Sequence, residues 1–504
     1  MGYEIPSQLE YKEKIMFNLT FKQLIYAFIV FFIDFCLFFK INASIQVRVI
    51  LIVFPTLIGA GFIFFNLEKY AVNIYHWFIT QRKRDINSFT KDLRKREVSV
   101  LKVQPINFHI KTRDEKETIS RQFLKFMNAI DFPIQILMKT KELEIDDYLD
   151  NIEVPENYQE LFEDNQKFIK ELIENENVKD RVFYLIIPKK DNLEIQEEIC
   201  LDWVKSLNLK VNKISKTEFE SLTQINGKEI INKPSYLNVG EEFHRIIYAH
   251  GYPRIVEQGF LDRIVSSIGN FDFSLHIEPY EVETMMVNIN KELQKQKADL
   301  YSMGLKGIIN PSLEIQYNDT RRVLEELQKG NNKLFNVSLY IDCKANDLKE
   351  LEVVTRKTEA MLNSLMIIPR KATFQMDKGL KSIMPYGFNQ LKITRNVTSK
   401  GLSAFFPFTS PFFESDSQGI WLGVNKNGIP IIKDIFELSN PNGVILAQSG
   451  GGKSFFAKLL ISRYLMNQTK VIVIDPQGEY KALVKKFDGQ RIDLSRTSKT
   501  IINP

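Results

Sequence analysis

Residues 447–454 read Ala-Gln-Ser-Gly-Gly-Gly-Lys-Ser. The spacing follows the phosphate-binding pattern G-x-x-x-x-G-K-S/T, with Gly452, Lys453 and Ser454 in the last three places. Ala447 stands where the first glycine is usual, a small change at a place that needs a compact residue. Gly450, Gly451 and Gly452 let the backbone curl so that successive N–H groups point inward at phosphate oxygens. Lys453 would reach the β- and γ-phosphates of ATP as a catalytic and binding group, and the Ser454 hydroxyl would ligate Mg²⁺. Phe455 follows in the first turn of a helix whose positive dipole end adds to the attraction. The alternative is a glycine-rich loop that binds nothing.

The flanking residues decide between the two, because the motif counts only between a strand and a helix. Residues 443–447 form a short apolar run that reads as a buried strand, and 470–475 form a second. Between them, 455–466 has helical periodicity, with Phe456, Leu459, Leu460, Tyr464 and Leu465 on one broad face. Strand, loop, helix and strand predict the start of a RecA-like parallel sheet. Asp475 falls at the carboxyl end of the second strand, where α/β proteins place ligand-facing groups. Asp475 or Glu479 would then act as a catalytic carboxylate near the metal or the attacking water. The other reading has Asp475 capping a turn and Glu479 starting a helix. No later apolar strand ends in Asp-Glu, and no later arginine is placed to act as a finger. Residues 98–504 are therefore expected to bind ATP-Mg²⁺ weakly if at all and not to turn it over.

Other chemistry is sparse. Cys36, Cys200 and Cys343 are far apart and fit neither a disulfide framework nor a zinc pattern. The histidines at 76, 109, 244, 250 and 276 form no ligand-spaced cluster, so no zinc site is expected. A net charge of +5 spread over both signs does not by itself argue for a nucleic acid partner. At 504 residues the chain should hold two to four domains, about 100–200 residues each.

Two apolar runs, about 24–39 and 49–65, lie near the amino-terminal end. Each is just short of a usual span, yet two runs separated by a short polar segment read as a membrane hairpin. A buried soluble hairpin is the competing reading. Lys12, Lys14 and Lys22 precede the first run, and Arg82, Lys83, Arg84, Lys91, Arg94, Lys95 and Arg96 follow the second. Only Lys40 and Arg48 lie between, so both termini and the soluble parts are expected on the cytoplasmic side. Asp34 interrupts the first run, as a functional group, near the far interface, or paired with a neighbouring subunit.

From residue 98 onward the pattern is mixed. Strands are predicted over 132–138, 182–188, 271–277 and 336–342, and helices over 155–178, 195–207, 281–302, 321–329 and 348–365. These suggest one α+β domain over 98–240 and a second unit after it. Residues 404–413, rich in Phe and Pro, read as an extended linker. Their aromatics would stack on bases or pack between domains. Residues 419–432 read as a β-hairpin with an Asn-Gly turn. The fold class expected is α/β and α+β multidomain, divided as 1–97, 98–402 and 403–504.

Asp-Phe-Pro-Ile-Gln-Ile at 131–136, the hairpin at 419–432, the loop at 447–454 and Val-Ile-Asp-Pro-Gln-Gly-Glu-Tyr at 473–480 resemble the VirB4-type ATPases of type IV secretion systems. Tyr3, Glu4, Ile5, Pro6, Phe21, Lys22, Gln23 and Leu24, with the two apolar runs, are similar to the PrgI-like membrane proteins of the same systems. The resemblance implies a hexamer-forming ATPase on the cytoplasmic face of a conjugation channel. It would use ATP and Mg²⁺, contact other channel subunits and serve a DNA–relaxase substrate indirectly. By position, Gly452, Lys453 and Ser454 would hold the nucleotide and metal. The chain departs from that pattern in ending before a second carboxylate motif and arginine finger. A non-hydrolysing membrane-anchored scaffold or remnant is the second reading. An FtsK/HerA-type DNA translocase is the third, disfavoured by the long stretch between hairpin and loop.

Overall fold

The computed structural model describes residues 3–6, 14–16, 19–40, 44–65, 67–80, 84–108, 110–142, 149, 154–176, 179–207, 209–224, 229–267, 269–330, 332–410, 419–424, 430–438 and 440–494. The two apolar runs form the helices Phe21–Lys40 and Ile45–Phe64, each 20 residues long. At about 1.5 Å per residue both match a hydrocarbon core of about 30 Å. They are longer than the apolar runs because polar residues join at their ends. Thr20 and Gln23 begin the first helix reciprocally: the Thr20 N–H donates to Gln23 Oε1 at 2.8 Å, and the Gln23 N–H donates to Thr20 Oγ1 at 3.4 Å. Gln23 Nε2 also donates to the Ile63 carbonyl at 2.6 Å, closing the base of the hairpin. Gly59 permits the helices to approach, since a Cβ there would overlap Val30. Asp34 accepts from the Thr56 hydroxyl of the second helix at 3.0 Å, so within this chain it ties the hairpin together.

A third helix, Leu67–Thr80, follows, which the sequence reading missed. After it the chain enters a 12-stranded sheet. Its path runs Arg84–Asp85, Glu229–Asn232, Leu237–Val239, Glu242–Gly251, Leu334–Ala345, Phe271–Pro279, Ile134–Glu142, Lys179–Pro188, Val98–Val103 and Val211–Lys213. Ile368–Lys371 adds to Glu242–Gly251, and Arg395–Thr398 adds to Leu334–Ala345. The 98–240 domain and the unit expected after it are thus one sheet: Ile134–Glu142 pairs with Phe271–Pro279, residue for residue from Phe273↔Met138 to Ile277↔Ile134.

Leu334–Ala345 shows why the sheet is covered on both faces. Phe335, Val337, Leu339, Ile341 and Cys343 point into one core, with the helices Arg113–Ala129, Leu193–Ser206 and Leu348–Ser364 contributing apolar side chains. Tyr340 points into the other, with Met376, Leu380 and Ile383 of the helix Met376–Ile383. Alternation at a period of two assigns the faces. Val282–Leu305 and Pro311–Gln328 pair as a helical arm around Met285, Ile289, Val323 and Leu324.

Residues 404–410 are not a linker. Ala404, Phe405, Phe406 and Phe408 are wholly buried in the main core. Phe406 packs edge-on to Phe123 at 5.9 Å, and Phe408 meets Phe183 and Trp203, both at 6.1 Å. The Ile106 N–H donates to the Phe408 carbonyl at 3.0 Å and Ser410 N–H returns to Ile106 at 2.9 Å, fixing the segment beside residue 106. The rest of the predicted linker, 411–413, lies outside the described residues.

The amino-terminal residues also belong to this body. Tyr3–Glu4 pairs antiparallel with Ile255–Val256, and Ile5 is 1% exposed, inside the main core. Arg322 pairs with Glu4.

The chain separates into two compact units, Met1–Thr140 with Arg181–Pro411, and Lys141–Asp180 with Phe412–Pro504. The sequence reading placed 141–180 in the middle region. In the second unit, the helix Gln159–Glu176 packs Phe168 against Trp421 of the strand Ile420–Val424, with ring centres 5.8 Å apart. That strand pairs with Pro430–Lys433; the predicted Asn-Gly turn between them lies outside the described residues.

Candidate phosphate-binding site

The loop at 447–454 leads directly into the helix Lys453–Met466, whose cap residue is Gly452. Gly450 and Gly452 have φ of 78° and 80°, left-handed conformations that cost other residues energy. Nothing stands within 4 Å of where a Cβ would be at either one, so the space over the loop is open. Gly451 turns back on the chain, its N–H donating to the Gln448 carbonyl at 2.9 Å. The cap makes no side-chain hydrogen bond to the helix. The first-turn N–H groups of Lys453, Ser454 and Phe455 are therefore the donors a helix leaves without an intrahelical acceptor. An open loop, two left-handed glycines, uncapped amides, a lysine and a hydroxyl fit a nucleotide phosphate with its Mg²⁺.

The far end of the helix holds it in place. Arg463 is buried, lies 4.2 Å from the Trp421 ring and donates from Nη1 to the Trp421 carbonyl at 2.5 Å. Tyr464 meets Phe436 edge-on at 6.5 Å. The predicted apolar face of Phe456, Leu459, Leu460, Tyr464 and Leu465 is only half-buried; the buried residues of this helix are Arg463 and Met466.

The cause is visible on either side. Neither 443–447 nor 470–475 is a strand here, contrary to the sequence expectation. Val444 is 83% exposed, Leu446 89%, Ile472 93% and Ile474 91%. Among the described residues no backbone hydrogen bond joins the two runs. A strand exists only as part of a ladder, and without paired neighbours the runs stay extended and open.

Asp475 closes the turn after the second run. Its carboxylate accepts from the backbone N–H of Gln477 at 3.2 Å, Gly478 at 2.8 Å and Tyr480 at 3.0 Å. Those amides, Tyr480 foremost, hold its carboxyl below the usual range. Glu479 sits in the turn just before the short helix Lys481–Lys486. The helix Lys453–Met466 reaches this turn through Lys458, whose Nζ lies 5.5 Å from the Tyr480 ring. Among the described residues no hydrogen bond or ion pair links Lys453 or Ser454 to Asp475 or Glu479.

The first unit contains a polar row that the sequence did not reveal. On one face of its sheet, Lys344 Nζ lies 2.9 Å from Asp272 and His244 Nδ1 lies 2.8 Å from Asp342, all four residues buried. Gln135 Nε2 donates to Ser274 Oγ at 2.8 Å, and His276 Nε2 lies 2.6 Å from the Ser382 carbonyl. Burial pushes His276 down to about 4. Strand alternation at these positions was the one available signal, since each polar side chain follows an apolar neighbour pointing the other way.

Comparison with known families finds three separate matches along the chain. Residues 4–86 match the PrgI protein family, residues 91–202 the archaeal TraC-like domain, and residues 422–504 the central domain of the helicase HerA. No curated protein matches the chain. The match at 422–504 covers the phosphate-loop candidate, and the match at 4–86 covers both membrane-length helices. A PrgI domain, a TraC-like domain and a HerA-type domain in that order support a conjugation-associated ATPase of the VirB4/TraC type, with the PrgI domain at the amino-terminal end.

Proposed function

We propose that this chain is a nucleotide-binding motor subunit of a conjugative DNA-transfer apparatus, powering channel assembly or substrate passage. ATP-Mg²⁺ would sit at Gly450, Gly451, Gly452, Lys453, Ser454 and Phe455. The backbone amides would cradle the phosphates, Lys453 would bind the β- and γ-phosphates, and Ser454 would ligate the metal. Bound Mg²⁺ would neutralise charge between the terminal phosphates. Asp475 shapes the turn after the second apolar run, and Glu479 is the carboxylate with no such duty. The observation that carries this reading is the left-handed backbone at Gly450 and Gly452 leading into an uncapped helix start.

The two apolar helices and the PrgI match support membrane anchoring. The excess of basic residues outside the hairpin supports a cytoplasmic position for both termini. By resemblance to the VirB4 type, the chain would act in a ring of six copies. The test of the nucleotide site is titration of the full chain in detergent with a fluorescent ATP analogue and Mg²⁺. Lys453→Ala should weaken binding about tenfold or more, the loss of a charged hydrogen bond of about 1.5–3 kcal/mol. Equal affinity in the variant and the parent would overturn the site. The HerA-type match favours a second reading, a DNA translocase. Salt-sensitive DNA binding by the same preparation would favour it.

A further inference from the structure

We propose that the helix Leu67–Thr80 is a membrane-interface element, lying with its apolar face in the headgroup–acyl boundary of the bilayer. The proposal rests on the membrane reading of the two preceding helices. Along this helix Asn73, His76 and Thr80 fall at i, i+3 and i+7, one narrow polar stripe. Apart from Glu68 in the first turn, the residues over an arc of roughly 220° at about 100° per residue are apolar. That is much wider than the seam one partner helix would cover. Tyr70, Val72, Ile74, Tyr75, Phe78 and Ile79 are all exposed. Tyrosine and aliphatic side chains on one face, with a thin polar stripe opposite, are what an interfacial helix needs.

Its two ends fix where it sits. In the first turn, Glu68 holds Lys22 Nζ at 2.6 Å and the Tyr26 hydroxyl at 2.6 Å, both on the first membrane-length helix. The helix therefore begins at the base of the hairpin. At the other end Trp77 Nε1 donates to the Asn232 carbonyl at 3.2 Å, and its ring meets Phe374 at 5.5 Å. Asn232 Nδ2 donates to Thr80 Oγ1 at 3.4 Å. One helix thus links the hairpin base to the sheet. In the sequence Arg82, Lys83 and Arg84 follow at once, basic residues of the kind that anionic headgroups attract. A bilayer surface continuous with the hairpin accounts for the exposed apolar face and for both ends together.

The test is site-directed spin labelling of the full chain in vesicles of mixed phosphatidylcholine and phosphatidylglycerol. Cys36→Ser removes the one thiol that is not buried. Single cysteines are then placed at Val72, Tyr75, Phe78 and Ile79, and for contrast at Asn73 and His76. The oxygen-to-nickel accessibility ratio should be several-fold higher at the first four than at the last two. A uniformly nickel-accessible helix would overturn the proposal. So would low access to both reagents with dipolar broadening at Tyr75 and Phe78, which would mean a second copy covers this face. Phe31→Cys in the first helix is the control: nickel access there would overturn the membrane reading itself, separately from the interface proposal.

Discussion

Asp475 and His244 show how a residue's neighbours choose among its chemistries. At 475 the sequence left open a catalytic carboxylate or a turn cap, and three backbone amides now occupy that carboxylate. The loop glycines were legible because a left-handed backbone leaves a residue-type signature. His244 left none, as its partner is 98 residues away. Burial acts to lower its pKa, but the Asp342 carboxylate and Glu242 outweigh burial, so the pKa is raised above the usual value. Nearby Lys344 works against them. A raised value means the pair's contribution is complete below about pH 6.5 and is lost as pH rises through the folded-state pKa. His244→Gln should therefore cost about 1.5–3 kcal/mol at the acid end and progressively less as pH rises. Denaturant unfolding of both proteins across that range checks it; a pH-independent difference would remove the ionic account.

At the scale of elements, hydrophobic runs were found and their pairing was not. Residues 404–410 have the composition of a linker, yet Phe405, Phe406 and Phe408 are among the most buried side chains in the chain. Phenylalanine buries a large apolar area wherever a cavity admits it, and proline nearby only blocks regular hydrogen bonding. Phe406→Ala should destabilise the first unit by about 3–5 kcal/mol. A linker phenylalanine would change it by less than about 0.5 kcal/mol, so urea unfolding separates the two. The opposite error occurred at 443–447 and 470–475, where strand-like runs are exposed. In both cases the composition was read correctly and the neighbours were missing from the reading.

For the whole molecule, the sheet joins segments remote in sequence. Ile134–Glu142 lies between Phe271–Pro279 and Lys179–Pro188, and Tyr3–Glu4 pairs with Ile255–Val256. The membrane hairpin is therefore bracketed by two attachments to one body, the amino-terminal strand before it and the segment from Arg84 to Leu93 after it, with Ile86, Phe89 and Leu93 buried. Ile5→Asp would place a charge in the main core and should release the first attachment. Amide exchange at Ile255 and Val256 should then rise at least about tenfold, one decade per 1.4 kcal/mol lost. Unchanged exchange would mean that the strand pair does not depend on Ile5.

The sequence by itself determined the elements whose signals are local: two membrane-length helices, a glycine loop before a helix, long amphipathic helices and most of the major strands. Each depends on residues within a few turns of one another, so spacing carries it. Only the tertiary structure decided that the middle of the chain is one sheet, that a Phe-rich stretch is core, that Ile5 is buried, and that two strand-like runs are open. Those outcomes depend on which distant segment supplies a ladder partner or a cavity wall, and spacing within a segment holds no record of that.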